Sequence, residues 1–330
     1  MIPHSKPTIG TEEMNAVSRV LSSGHLAQGA EVEAFEKDCA EILGRKHAVA
    51  VNSGTAALHL ALSALGVGRD EPVAAPSYGC AALITAIRLQ QAEPLLCDID
   101  GNYNLDPALV PLDCRAAIVP HLFGATAAIP AVDGVVEDIA QSMGGPTGRA
   151  SRVAVTSFYA TKLVTTGEGG MVLTDDEAIA EHARNLREYD NRDDFVVRHP
   201  YKMTDVQAAL GRVQIRRLPK FLERRRQIAL QYNAELAALP LRLPDPEGHV
   251  FFRYVVETQR QADLILSLNA EGIEAKRPVY RPAHHYLGGQ FPNSQRAHEQ
   301  CVSLPLYPAM TSADIRCVID SVQKFFTEAP

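Results

Sequence analysis

Apolar residues fall into two patterns along this chain. Short continuous apolar runs occur at His47–Val51, Pro72–Ala75, Pro94–Cys97, Ala116–Val119, Val135–Glu137, Val153–Thr156 and Met171–Leu173. Runs of that length without alternation predict strands buried on both faces. Helical spacing lies between and before them. Thr11–Ser22 puts Met14, Val17, Val20 and Leu21 on one face, with Gly24 just beyond. Glu31–Leu43 stops at Gly44, Ala56–Leu65 stops at Gly66, and Ala81–Leu89 follows. Strands alternating with helices predict a mostly parallel α/β sheet covered on both faces. From Thr204 to about Leu239 the pattern is helical, with a break expected at Pro219. Pro240, Pro244 and Pro246 then mark a boundary. Beyond it the pattern predicts a strand over Phe251–Val256, a helix over Ala262–Glu271, a strand over Ile273–Pro278 and a helix over Ser312–Phe325. The expected division is a large α/β domain, 1–239, and a small α+β domain, 240–330.

Composition narrows the function. The 330 residues carry a formal net charge of -7, so the basic surplus of a nucleic-acid binder is missing. The densest basic run, Arg224-Arg225-Arg226, reads as a solvated helix face. No apolar run approaches the roughly 20 residues that span a bilayer. Met1–Lys6 has neither the apolar core nor the small-residue site of a secretory leader. The six cysteines (39, 80, 97, 114, 301 and 317) form no C-x-x-C pair, which argues against a disulfide framework and a metal site. A cytoplasmic protein with reduced thiols is expected.

Candidate chemistry gathers at strand ends, where parallel sheets place their ligands. Asn52-Ser53-Gly54-Thr55 follows a strand and opens a helix. Unpaired amides and the positive end of the helix dipole suit a phosphate there, although serine and threonine also favour helix starts as plain caps. Glu137 and Asp138 end another strand. Asp138 suits a metal, a ribose or a protonated ring nitrogen, and Gln141 stands three residues on. Ser157 through Lys162 follows the next strand and precedes the glycine-rich Gly167-Glu168-Gly169-Gly170. A lysine so placed is a candidate Schiff-base nucleophile, against the plain alternative of a surface lysine.

These motifs, in this order, resemble one family. With Gln28-Gly29, Phe35-Glu36, Asn52 through Leu58, Asp98-Ile99-Asp100, Pro120 through Gly124, Glu137 through Gln141, Ser157 through Lys162 and Met203 through Gly211, the whole chain is similar to the DegT/DnrJ/StrS-type sugar aminotransferases. The resemblance implies the pyridoxal-phosphate (PLP) transferase fold type I. It implies that Gly54, Thr55 and Ser157 hold the cofactor phosphate, Asp138 its pyridine nitrogen and Gln141 its ring hydroxyl, with Lys162 as the Schiff-base lysine. It also implies that His284 lies near the substrate. The substrates it implies are glutamate and a nucleotide-linked keto sugar, handled by a homodimer with shared active sites.

Two positions depart from the family pattern. Cys80 stands where an aromatic residue often stacks on the cofactor ring. Pro200 stands where a polar residue often reaches the partner's phosphate, leaving Lys202 as the candidate for that role. Lys276, Arg277 and Arg281 are candidate contacts for a diphosphate or carboxylate, each also readable as a solvated charge. Three other functions remain. A PLP-dependent sugar dehydratase is disfavoured because Lys162 is present. Transamination of an aminocyclitol or keto acid stays open. A non-catalytic PLP-binding regulator is disfavoured by Lys162 and Asp138 together.

Overall fold

The computed structural model of the protein describes residues 1–328. Two helices, α1 (Thr11–Ser23) and α2 (Ala30–Leu43), lead into β1 (His47–Val51) and α3 (Gly54–Ala64). Next come β2 (Pro72–Pro76), α4 (Ala82–Leu89), β3 (Glu93–Cys97), β4 (Ala116–Pro120), β5 (Val135–Asp138), β6 (Val153–Ser157) and β7 (Gly170–Thr174). The chain continues through α5 (Glu177–Leu186), α6 (Asp205–Leu236), β8 (Tyr254–Glu257) and α7 (Gln261–Ala270). It closes with α8 (His284–Leu287), α9 (Pro292–Gln300), β9 (Cys301–Leu304) and α10 (Ser312–Glu328).

The seven expected strands form one sheet in the order β1-β7-β6-β5-β4-β2-β3. Strand β7 is antiparallel to both its neighbours, β1 and β6, and the remaining pairs are parallel. The apolar runs are continuous because both faces are covered. Val49 and Val51 of β1 pack under α3, whereas Ala48 and Ala50 join Phe35 of α2 and Ile215 of α6 on the opposite face.

Helix α6 is unbroken, and Pro219 sits within it. Proline interrupts the hydrogen-bond ladder, but burial of Ile215, Leu218, Phe221 and Arg225 on both sides of it holds the helix together. Its first half packs on α1 and α2, and its last turns enter a second core. That core joins Ile228, Tyr232 and Leu236 to Ile2 and to apolar residues between 251 and 322.

Three expectations are corrected here. Residues 273–278 form no strand. They make only isolated bridges, Ile2 with Ile273 and Lys276 with Ser303, and the partner of β8 is β9. Strand β8 starts at Tyr254 because Phe251 adopts a left-handed conformation (φ 53°) that breaks the extended run. Arg225 is buried rather than solvated; its guanidinium donates to the carbonyls of Phe251, Phe252 and Leu306 at 3.1–3.2 Å. Among the described residues, no helix is long and apolar enough to cross a membrane.

Candidate active site

The carboxyl ends of β5 and β6 and the start of α3 open into one cavity of about 540 Å³, bounded also by Phe252, Arg253, residues 278–281 and Tyr286. Gly54, Thr55, Cys80, Asp138, Gln141, Ser157 and Lys162 all line it. Residues separated by more than a hundred positions thus meet in one space.

Helix α3 begins at Gly54, two residues earlier than its apolar pattern suggests, because Ser53 caps it by accepting the Ala56 N–H at 3.1 Å. The Gly54 and Thr55 amides precede the first helical bond and have no acceptor among the described residues. A Cβ on Gly54 would sit 2.8 Å from the Ser157 Cβ, so glycine is what lets the Ser157 hydroxyl stand beside those amides. The hydroxyl and the two amides form an anion cradle at the positive end of a helix.

The two carboxylates of β5 separate by strand alternation. Glu137 turns away from the cavity. It accepts from His121 Nε2 at 3.1 Å, the Gly148 N–H at 2.8 Å and the Ser151 N–H at 2.8 Å. Burial would raise its pKa, but these bonds outweigh it and bring the pKa down to about 2. Since His121 Nδ1 accepts the Ala127 N–H at 2.9 Å, its proton lies on Nε2 and points at Glu137. Asp138 faces the cavity, with Oδ1 accepting the Ala140 N–H at 2.9 Å. Burial raises its pKa, while Lys162 is the main opposing influence.

Lys162 lies across from Asp138, its Nζ 5.1 Å from the centroid of the Phe252 ring. Burial lowers the Lys162 pKa, and Asp138 works in the opposite direction. The tendency toward a neutral amine is the state a nucleophilic or proton-transferring lysine needs. Gln141 uses its side-chain oxygen to accept the Phe123 N–H at 2.8 Å. That leaves its amide N–H₂ as a donor toward the cavity. Cys80 is exposed at the cavity wall.

Two candidates lie elsewhere. His284 does not line the cavity. Its Nδ1 is 2.6 Å from the Ser77 hydroxyl and its Nε2 3.0 Å from the Gln295 oxygen, which fixes its ring as a packing element between α8 and α9. Lys202 also lies outside the cavity, with its Nζ 2.8 Å from Asp190. Of the other cations, Arg281 reaches the cavity rim over Tyr286, whereas Arg277 donates to Gln261 and Lys276 pairs with Glu274. Phe252, Arg253 and His121 line the cavity without having been assigned a role in the sequence. His121 belonged to the Pro120–Gly124 motif; for Phe252 and Arg253 the available signal was charge or aromaticity, which many surface positions share.

The site fits PLP. The anion cradle matches its phosphate, the Asp138 carboxylate its ring nitrogen and the Lys162 amine its aldehyde carbon. This mostly parallel α/β fold and this donor set define a PLP-dependent enzyme of fold type I. The DegT/DnrJ/EryC1/StrS aminotransferase family matches residues 7–323, and the chain belongs to it. It is therefore a PLP-dependent aminotransferase. The chain is 34% identical to the spore coat polysaccharide biosynthesis protein SpsC of Bacillus subtilis, over 98% of this chain and 96% of that one. The aminotransferase TlmJ of Streptoalloteichus hindustanus superposes with a TM-score of 0.89 at 31% identity, covering 98% of both chains. DesV of S. venezuelae superposes with a TM-score of 0.91 at 32% identity, covering 97% of this chain and 95% of that one.

Proposed function

We propose that this aminotransferase moves an amino group from glutamate to the keto carbon of a sugar, carried as a nucleoside diphosphate derivative. The observation that carries the reading is Lys162 set across from Asp138 beside a phosphate-sized cradle in a cavity with room for a second, larger ligand. The name of SpsC, a polysaccharide biosynthesis protein, supports the sugar class. Arg281 and Tyr280 at the rim, both exposed, suit the diphosphate and base of a nucleotide.

Bound PLP supplies an electron sink next to the reacting carbon. The rest falls to the chain's own residues. Gly54, Thr55 and Ser157 fix the phosphate. Asp138 keeps the ring nitrogen protonated; at contact distance its attraction is about 4 kcal/mol for an effective dielectric of 20. Gln141 donates to the ring hydroxyl. Lys162 holds the cofactor through Nζ in the resting enzyme, and once displaced it carries a proton to and from the substrate carbon. Protein loaded with pyridoxamine phosphate, mixed with a panel of keto sugar nucleotides and free keto sugars, is expected to regain the absorbance of PLP only with the former. 2-Oxoglutarate, the keto form of the donor, should also restore it by reversal of the first half-reaction; equal return with other keto acids or with aminocyclitol ketones, and none with the keto sugar nucleotides, would refute the sugar nucleotide assignment.

We further propose a homodimer whose sites are shared, with Lys202 reaching the partner's cofactor phosphate as a point charge. The loop that carries Asp190, its present partner, also exposes Tyr189, Phe195 and Val197, apolar side chains suited to a subunit contact. Lys162→Ala and Lys202→Glu, each inactive alone, are co-expressed with different tags and the mixed dimers purified. Each mixed dimer then has one undamaged site of two, so activity is expected to return to about half of wild type. Activity near zero in verified mixed dimers would place Lys202 in its own subunit's site. An active Lys202→Glu alone would remove it from any site.

A further inference from the structure

A second, much smaller chamber of about 10 Å³ adjoins the cofactor cavity, and Thr161 and Lys162 line both. Lys6, Thr8, Gln214 and Arg225 supply the rest of its polar wall. The chamber thus joins the segment before α1, the turn after β6 and the middle of α6. No aspartate or glutamate lines it. A space of this size takes one atom-sized guest, a water or a monoatomic ion. Lys6 and Pro7 on its wall are exposed, which gives a guest a way in.

Two of the wall residues carry a buried polar atom with no hydrogen-bond partner among the described residues: Thr8 Oγ1 and Arg225 Nε. Both residues are otherwise held in place. The Thr8 carbonyl accepts from Gln214 Nε2 at 2.9 Å, and Arg225 Nη1 donates to three backbone carbonyls. Those carbonyls offer dipoles and no countering charge, and no acid acts on Arg225. Burial first, then the charge of Arg253, lower its pKa to about 9, which leaves it charged at neutral pH. Two acids stand nearby without lining the chamber. Glu13 accepts from Gln214 at 2.7 Å and pairs with Arg217, and Asp314 interacts with the exposed Lys6.

A desolvated guanidinium without a counter-ion is destabilising until a negative charge reaches it. A wall with three cationic side chains, an unpartnered N–H and an unpartnered hydroxyl, and no acid, favours a negative guest over a neutral one. We propose that this chamber binds one monoatomic anion of the chloride class, held by the Arg225 Nε–H and the Thr8 hydroxyl. Its volume excludes phosphate, sulfate and carboxylates, which sets it apart from the cradle at Gly54, Thr55 and Ser157. The bound charge also lies beside Lys162, where it favours the ammonium form. Asp138 and Cys80 act on the lysine in the same direction from the cofactor side, while burial and Arg253 oppose them. Halide is therefore expected to hold back the free amine of the cofactor-free protein.

Crystals of the PLP-loaded protein grown in sodium bromide test the site directly. The expected result is an anomalous bromine peak within hydrogen-bond reach of Arg225 Nε and Thr8 Oγ1. A water at that place, with no anomalous signal, overturns the proposal. In solution the melting temperature should rise with chloride or bromide along a saturable curve, with ionic strength held constant by gluconate. Thr8→Val keeps the side-chain shape and removes the hydroxyl, so it is expected to move the midpoint of that curve to about tenfold higher halide. Arg225→Met should abolish the curve if it folds; if it does not, Thr8→Val and the bromine peak decide. A melting temperature that follows ionic strength alone, or the same curve in Thr8→Val, also overturns the site. For the lysine, the cofactor-free protein is titrated by its rate of reaction with an amine reagent. Chloride should move the Lys162 midpoint to higher pH in the wild type and, at the same concentration, less in Thr8→Val. An unmoved midpoint in the wild type overturns the link to Lys162.

Discussion

Lys162→Ala is expected to fold, keep cofactor bound non-covalently and lose turnover by about 10⁴-fold or more. Two contributions disappear together. The covalent hold on the cofactor is lost, and so is the group that moves the substrate proton, a role usually worth about 10²–10⁴ in rate. The fold should survive because Lys162 ends on the cavity rather than in a packed core; its contact is the Phe252 ring at 5.1 Å. Single-turnover formation of pyridoxamine phosphate with glutamate measures the loss. Borohydride reduction of the wild type should fix the cofactor on one peptide, the one containing Lys162. A label found on another lysine would transfer the role to that residue.

Asp138→Ala should cost on the order of a thousandfold in turnover. At about 1.4 kcal/mol per tenfold, that corresponds to losing the roughly 4 kcal/mol with which the carboxylate keeps the ring nitrogen protonated. A second consequence follows from the apposition of Asp138 and Lys162. Asp138 raises the lysine's pKa against burial, so in the cofactor-free protein its removal should shift the titration of the Lys162 amine, read from its rate of reaction with an amine reagent, to lower pH. Asp138→Asn, which keeps the shape and removes the charge, should reproduce both effects. Near-normal turnover in either variant would exclude Asp138 from the chemistry.

Much of the site was legible because the chemistry sits where local patterns end. The amide cradle at Gly54, the carboxylate at Asp138 and the lysine after Ser157 each close a short apolar run. In a parallel sheet such ends point the same way, so sequence order alone brings them to one edge. The sequence reading chose Asp138 over its neighbour Glu137, and strand alternation gives the physical basis, sending Glu137 to His121 and Ser151 and leaving Asp138 to the cavity. His284 was drawn toward the substrate by resemblance, and its bonds to Ser77 and Gln295 draw it into packing.

What the chain determines by itself is the set of elements and the residues at their ends, because periodicity and capping act over a few neighbouring positions. Strand direction is not local: the apolar run Gly170–Thr174 reads the same either way, and only pairing between β1 and β6 makes it antiparallel. Burial is not local either, which is why α6 runs through Pro219 and why Arg225 is enclosed by carbonyls from two distant segments. The far wall of the cavity is the strongest case. His4, Lys162 and Arg253 come from the beginning, the middle and the last third of the chain. No spacing rule links them, and only docking of the second core against the sheet brings the His4 ring against the Arg253 guanidinium and sets Arg253 and Lys162 each 5.1 Å from the centroid of the Phe252 ring.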